Sequence, residues 1–568
     1  MNQYNEVFIG HLLSLINHPK VAIELAIVSG NTLAKIASKC IKDLSTWLQN
    51  ILAKQQRDFT QLCIVTGCLN YFKLKEVPFF LPCTLEIVVK SCQIPSNHAY
   101  QSFQALKLWS LKAKQGHVNI FEGKPKELRH FLDVINANWE NPLRGVPDLM
   151  VDTLNNLLDL VNSKELNEEL WNNTMCKLSW KTKAKYPLML VLMPRMGIIE
   201  ILNTEKDFAK NLIESLSSNH LASAGTTVYR MIVKTKNIFE VWKDRIMPHF
   251  IHALCHDQRP LVRANCKNHW LNPTFASLPM EAVDCVNTVL NTSPSDSCVM
   301  AKCLIIKCVR LKGSCEFSSD QLSTLRMSLF HSNDDVRSAA FGAICHLKKK
   351  STKPSEAEMS MVLDFLEHNI NVDNAAFRQV LISDFTQFML RCRDCGVSMY
   401  RRGKFEAELW SLMNGVNLVL LSLFDNVHPD ANYQRLITSL ELLQVVHCCF
   451  YNYQPQLGMN KGSNVSDPLG LVQHALKVRG WMDFYKESHL KKLLLATTHY
   501  MIDVKSLASE ILAFFSPDQR TIEAVLKKAL LLASCSCKFS ECESAALLFG
   551  LYLRWPRPQT DERSHLHR

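Results

Sequence analysis

Along most of the chain the apolar residues recur three and four positions apart, the period of a helix that buries one face. Val151, Leu154, Leu157, Leu158 and Val161 form one such stripe, and Val504, Leu507, Ile511 and Phe514 another, each closed by polar residues. The alternating pattern of a half-buried strand is scarce. Val118 and Ile120 in GHVNIFEG are its best candidate, and a short loop accounts for them equally well. With 18 glycines and 21 prolines in 568 residues, breakers are too thinly spread to interrupt the pattern often. The prediction is an all-α protein.

The helical stripes are punctuated by a recurring element in which Asp, a short gap, an aliphatic residue, a cation and small residues open a helix. It is seen at Asp257…Val262-Arg263-Ala264, Asp335-Val336-Arg337-Ser338-Ala339, Asp373…Phe377-Arg378, Asp430…Arg435 and Asp503-Val504-Lys505-Ser506-Leu507. Between Arg337 and Arg378 the register advances by 41 positions, which fits a HEAT period of ~40–47 residues and implies about 13 helix pairs in all. The Asp is expected to cap the second helix of each pair, the aliphatic residue to face inward, and the cation to face the turn of a neighbouring repeat. A chain of this length exceeds what one growing core supports. The expected architecture is therefore a HEAT/armadillo-like α-solenoid over residues 1–555, more divergent before 138, followed by a polar, disordered tail at 556–568. Polar stretches at 348–358, 394–404 and 453–468 are expected to be loops between repeats.

Composition narrows the chemistry. The formal charge of +11 is spread along the chain, which permits an acidic partner without requiring one. The first residues lack a basic start and a small-residue cleavage site, and no apolar run approaches the ~18 residues that would cross a bilayer. Most of the 21 cysteines sit singly in apolar helical stretches, as small hydrophobes in a reducing compartment do. The expectation is a cytosolic protein without membrane insertion.

No two glycines lie closer than Gly458 and Gly462. The glycine positions leave no loop of the kind that brings backbone N–H groups to a dinucleotide, a nucleoside triphosphate or S-adenosylmethionine, and no GxSxG elbow occurs, Asn460 standing between Gly458 and Gly462. No His precedes a Glu, so HExxH is absent as well. Cys392-Arg-Asp-Cys395 has zinc-ligand spacing but no matching second pair. His249, His252 and His256 share one helical face, where packing or solvation is the plainer role. Catalytic residues, cofactor, metal and small-molecule substrate are accordingly all expected to be absent. What remains is cationic: Lys181, Lys183 and Lys185 in CKLSWKTKAKYP, Arg263 and Arg337 in the repeat motif, Lys348, Lys349 and Lys350, and Arg401 and Arg402. Each could contact RNA or another partner, though for any single cluster a solvated face or loop is the plainer reading.

Several stretches resemble one known family in collinear order. They are Asn138-Trp139-Glu140-Asn141-Pro142-Leu143 running into VDTLNNLLDL, Leu178-Ser179-Trp180-Lys181-Thr182-Lys183-Ala184-Lys185-Tyr186 running into MGIIEIL, Val241-Trp242 with IMPHFIHALCH, Asp335-Val336-Arg337 through ICHL, Leu421 to Gln434, IDVKSLASEILAFF, and ECESAALLFGLYL. From about Asn138 to Leu553 the chain is similar to the thyroid adenoma-associated (THADA) family. The resemblance implies a long HEAT-repeat solenoid that serves as non-catalytic partner of an FtsJ-like methyltransferase, which modifies a ribose 2′-OH in the tRNA anticodon loop. Family members are far longer, so their signature domain is expected beyond residue 568. The implied partners are the methyltransferase and tRNA, with other proteins as further candidates. The alternative is a protein-only scaffold without RNA contact, which docks proteins in apolar grooves between repeats.

Overall fold

A computed structural model describes residues 3–555, apart from 94–96, 293–294, 314–315, 350–351, 404–405, 452–466 and 536–537. The tail at 556–568, Lys350 and most of the 453–468 connector lie outside the described residues. Every regular element among those described is helical. The segment around Val118 and Ile120 is a turn that closes the helix Ala99–Gln115.

The chain forms two compact units, Met1–Pro273 and Thr274–Arg568. In the first, every second helix lies beside the one before it: Ile23–Cys40, Asp58–Tyr71, Ala99–Gln115, Val146–Val161, Lys185–Met196 and Asn219–Val233 form one series, while Leu44–Ala53, Val77–Gln93 and Pro125–Ala137 stack outside it. The second unit repeats the scheme. Its inner series is Asp296–Lys312, Asp334–Cys345, Ala375–Arg402, Tyr433–Phe450, Ile502–Leu512 and Phe539–Arg554; Ser319–Leu329, Glu356–Asn369 and Glu406–Asp425 stack alongside. This two-layer stacking of helical hairpins is the predicted HEAT-like solenoid.

The repeat is also visible in the polar bonds. Asn17–Gln55, Asn31–Asn70, Lys107–Asp152, Arg129–Glu169, Asn155–Arg195 and Glu214–Arg259 in the first unit join residues 38 to 45 apart. Asp296–Asn333, Asp334–Asn374, His346–Asp384, His447–Tyr485 and Lys505–Glu543 in the second join residues 37 to 40 apart. Each bond ties one repeat to the next. Where the 28-residue helix Ala375–Arg402 and an additional helix, Asp467–Arg479, lengthen the repeat, the links stretch to 64 residues for Asn371–Arg435 and 70 for Tyr433–Asp503.

The apolar seam between the layers contains stacked aromatic pairs such as Phe341–Phe365 at 4.0 Å and Tyr229–Trp270 at 4.1 Å. Ile23–Cys40 and Asp58–Tyr71 approach so closely through Gly30 and Gly67 that a Cβ on Gly67 would stand 2.3 Å from the Gly30 carbonyl oxygen. Only the absence of side chains permits that crossing.

Three expectations need correction. The stretch 394–404 is no connector through Arg402, because Cys395 and Gly396 are buried and carry the helix Ala375–Arg402 across it. No motif aspartate caps its helix: at three of the five an asparagine does, Asn333 accepting from Asp335 N–H, Asn374 from Phe377 N–H and Asn432 from Arg435 N–H, while Pro260–Asn265 and Ile502–Leu512 have no side-chain cap. The amide also donates, and Asn374 uses that donor on Asp334 of the preceding repeat at 2.8 Å, a link no carboxylate could make. Finally, Glu406–Asp425 is long and apolar enough to cross a membrane on composition alone, but 61% of its apolar window is buried within the unit.

Candidate nucleic-acid interface

The predicted cations fall into two groups. Some are consumed by the fold. Lys185 is fully buried, and its ammonium donates to the carbonyls of Met175 at 3.2 Å and Leu178 at 2.7 Å, with the Trp180 ring 4.5 Å away. Burial, first of all, lowers its pKa, and Lys185 is therefore withdrawn from the contact set. Arg263 donates to the Asp257 carbonyl, and Arg337 to the carbonyls of His331 at 2.6 Å and Ser332 at 3.1 Å. Both fold back on their own turn instead of facing a neighbour. Lys505 and Arg435 do reach neighbouring turns, at Ser540 and Asn371. Lys181, Lys183, Lys348, Lys349, Arg401 and Arg402 remain exposed.

The second unit gathers the exposed cations along one edge, where its inner helices end. Lys312 closes Asp296–Lys312, its ammonium donating to the Leu278 carbonyl at 2.6 Å, and exposed Lys348 and Lys349 follow Asp334–Cys345. The Lys348 ammonium reaches the Lys312 carbonyl at 3.4 Å, so the two loops adjoin. The next stretch of that loop is held by Arg391 of the long helix, whose Nε donates to Thr352 O at 2.9 Å and whose Nη2 donates to Lys353 O at 3.2 Å. Cations belong here because carbonyls at helix C-termini carry the negative end of the helix dipole.

Beneath this edge lies a cluster the sequence did not disclose. Glu358 takes both oxygens to Arg391, at 2.8 and 3.0 Å, and one also accepts from Arg310 at 2.6 Å. All three are closed off: Arg310 is 1% exposed, Glu358 2% and Arg391 1%. Glu358 also accepts from Ser355 N–H at 2.7 Å, which closes the cap of Glu356–Asn369. Burial works to raise the Glu358 carboxyl, but Arg391 and then Arg310 outweigh it and hold the pKa below the usual range. Arg310 moves the other way: burial lowers its pKa more than Glu358 restores it. The geometry explains the asymmetry, since Arg391 grips both oxygens while Arg310 shares one, keeps Nε and Nη1 without partners, and leans on the Phe317 ring at 4.0 Å. Two guanidiniums thus face one carboxylate in the core, and one of them, Arg391, reaches the Thr352 and Lys353 carbonyls of the loop that carries Lys348 and Lys349. A surplus buried charge is screened less than a surface one and adds to the potential above it.

The other candidate chemistry disperses. Cys392 and Cys395 are buried in the core, and burial pushes both thiols up. That opposes the thiolate form a zinc ion needs. No group of three potential metal ligands occurs among the described residues. His249 lies on Met247–Ile251, whereas His252 and His256 begin and end a wider π-helical turn that leaves their rings 6.5 Å apart.

Stacked helical hairpins linked repeat to repeat, with a cationic edge along one side of the second unit, define a HEAT-like repeat protein. Comparison with known proteins narrows the class. A family model described as "Trm732, TPR repeats" matches residues 239–461. TPR hairpins recur every ~34 residues, and the 37 to 45 residues between linked partners here fit the longer HEAT period better. The chain is 21% identical over 499 residues to the mouse (Mus musculus) "tRNA (32-2'-O)-methyltransferase regulator THADA", covering 78% of this chain and 24% of that protein. It is 20% identical over 499 residues to the human (Homo sapiens) protein of the same name, covering 76% of this chain and 24% of that one. These matches bear out the THADA-family resemblance read from the sequence. The chain spans about a quarter of the length of these relatives. Among solved structures, it is similar to a Kap121p mutant with a TM-score of 0.47 at 12% identity, covering 96% of this chain and 65% of that one. It also aligns with importin beta, with a TM-score of 0.32 at 9% identity, covering 97% and 63%.

Proposed function

We propose that this chain is a non-catalytic repeat scaffold in the cytosol that supports an FtsJ-like tRNA ribose 2′-O-methyltransferase at the anticodon loop, holding RNA through its cationic edge. The observation that carries this reading is that the loop bearing exposed Lys348 and Lys349 adjoins the end of Asp296–Lys312 and is held by Arg391 of the buried Arg310–Glu358–Arg391 cluster. The relatives named as regulators of a tRNA methyltransferase point the same way. Such an edge binds by counterion release, so affinity depends on many phosphates and falls steeply with salt. Lys181, Lys183, Arg401 and Arg402 are further contact candidates, spread rather than pooled in a pocket. The test is anisotropy of labelled tRNA at low and physiological salt, with the protein alone and together with its methyltransferase. Absence of binding in both settings refutes the proposal.

A second reading, a protein-only scaffold, is favoured by one feature of the first unit. A groove of about 520 Å³ runs over Pro82, Leu85, Val89 and Ile120, with Lys90 and Glu127 beside them. Nuclease treatment before co-purification separates the two: a partner lost with the nucleic acid supports the first reading, and one retained supports the second.

A further inference from the structure

At the end of Ala375–Arg402, beyond the lysine loops, aromatic rings and cations assemble around the helix Asp467–Arg479. That helix packs on Ala375–Arg402 and Tyr433–Phe450. Tyr400 meets the His474 ring at 5.3 Å, His474 stacks on Trp410 at 5.3 Å and 22°, and Trp410 meets Trp481 edge-on at 6.0 Å. The guanidinium of Arg479 lies over both indoles, 5.4 Å from Trp410 and 5.9 Å from Trp481.

Arg479 is exposed, and among the described residues no carboxylate pairs with it. A nearby acid, Glu406, accepts from the Trp410 indole N–H instead, at 3.2 Å. Some arginines of this chain are neutralised, Arg259 by Glu214 and Asp257, Arg129 by Glu169 and Arg195 by Asp159; what sets Arg479 apart from the other open ones is its seat on two indoles. A guanidinium seated on aromatic faces keeps its plane while its N–H edge stays open, so it loses little further freedom when a phosphate accepts two parallel hydrogen bonds. Lys477 and Arg402 stand exposed on the two adjoining helices, and Tyr400 keeps 38% of its surface open.

We infer that Arg479, positioned by Trp410 and Trp481, is a phosphate clamp for an unpaired segment of RNA, with Tyr400 offering a face to an adjoining base. An unpaired strand fits because paired bases keep their faces stacked within the helix, whereas a splayed base can lie on an aromatic ring. The inference rests on the RNA reading above but assigns a distinct site to it.

The test compares the intact chain with Arg479→Lys, Arg479→Gln and Tyr400→Leu, using labelled tRNA and a duplex RNA of equal length across a salt series. Arg479→Lys keeps the charge but loses the planar fork. It is expected to weaken tRNA binding about tenfold with an unchanged salt slope, while Arg479→Gln weakens it further and lowers the slope by about 0.7. Tyr400→Leu is expected to weaken tRNA binding and leave duplex binding alone. Melting temperatures near that of the parent tie these effects to contact rather than to unfolding. If all three variants bind tRNA like the parent while Lys348→Glu/Lys349→Glu does not, the clamp is overturned and the RNA reading stands. Should the parent bind no RNA, both fall. Equal effects of Arg479→Lys on duplex and tRNA, or displacement of tRNA by a phosphopeptide at lower concentration, would also overturn the assignment.

Discussion

Replacing Glu358 with glutamine and Arg310 with methionine should have opposite consequences for the second unit, although the two side chains touch. Glutamine keeps the shape and the bond to Ser355 N–H, so Glu358→Gln isolates the charge. It leaves the Arg310 and Arg391 guanidiniums in a core where each is almost fully buried, and breaking a buried pair from one side costs about 3–5 kcal/mol. Arg310→Met removes the cation whose Nε and Nη1 have no partners. Glu358 keeps its two-point contact with Arg391, and the methionine chain fills the space against Phe317. Exchanging an imperfectly paired buried ion for an apolar group is neutral or stabilising, here by about 0–2 kcal/mol. Urea melts of the full chain give the comparison, with amide exchange across Glu356–Asn369 and Ala375–Arg402 to show that the change is local. In the double variant the loss should be smaller than in Glu358→Gln alone. If Arg310→Met costs as much as Glu358→Gln, the guanidinium is fully used and the idea of a surplus charge is wrong.

Further predictions follow from the same core. His447 is buried beside Phe514 and Tyr451, its Nε2 meets Tyr485 Oη at 2.8 Å, and burial lowers its pKa to about 4. Because the folded state resists protonation, stability should be full above about pH 6.5 and fall by about 3 kcal/mol as the pH drops towards 4. His447→Phe should flatten that profile in pH-dependent urea melts, and an unchanged profile would refute the assignment. Gly67→Ala should destabilise the first unit by about 3 kcal/mol, since the new methyl meets the Gly30 carbonyl and neither backbone can yield cheaply; a melting temperature matching the parent would contradict the close crossing. Native-state alkylation followed by mass spectrometry should label exposed Cys40, Cys176, Cys448 and Cys542 while sparing Cys392. Fast labelling of Cys392 would place it outside the core.

Much of the fold was legible because the stripes that announce a helix are the faces it buries. Leu154, Leu157 and Leu158 were predicted from spacing alone and are closed within the first unit. The 41-residue step from Arg337 to Arg378 likewise anticipated the links between repeats. Side chains that act across that step were harder to see. Glu358 stands 48 residues from Arg310 and 33 from Arg391, and no local pattern marks an ion cluster assembled only when three helices stack. Lys185 reads as one more surface cation in CKLSWKTKAKYP. Only the close approach of the Met175 and Leu178 carbonyls turns it into an internal brace. The polar run through Arg393 and Asp394 suggested a break, but those two side chains pair with each other, at 2.7 Å, and the helix continues. Arg401 and Arg402 were legible as cations, and Arg479 stands two residues from Trp481 in the chain, but its second ring, Trp410, lies on Glu406–Asp425 and no local pattern joins them.

The rungs of hydrogen bonds between neighbouring repeats carry a mechanical consequence. Within either unit a severed rung loosens two adjoining hairpins and leaves those farther along untouched, so damage should fray the stack locally. Strain enters such a material as many small hinge adjustments shared among its joints. Under tension each unit should therefore yield in steps of one or two hairpins, like a leaf spring whose leaves slip one at a time.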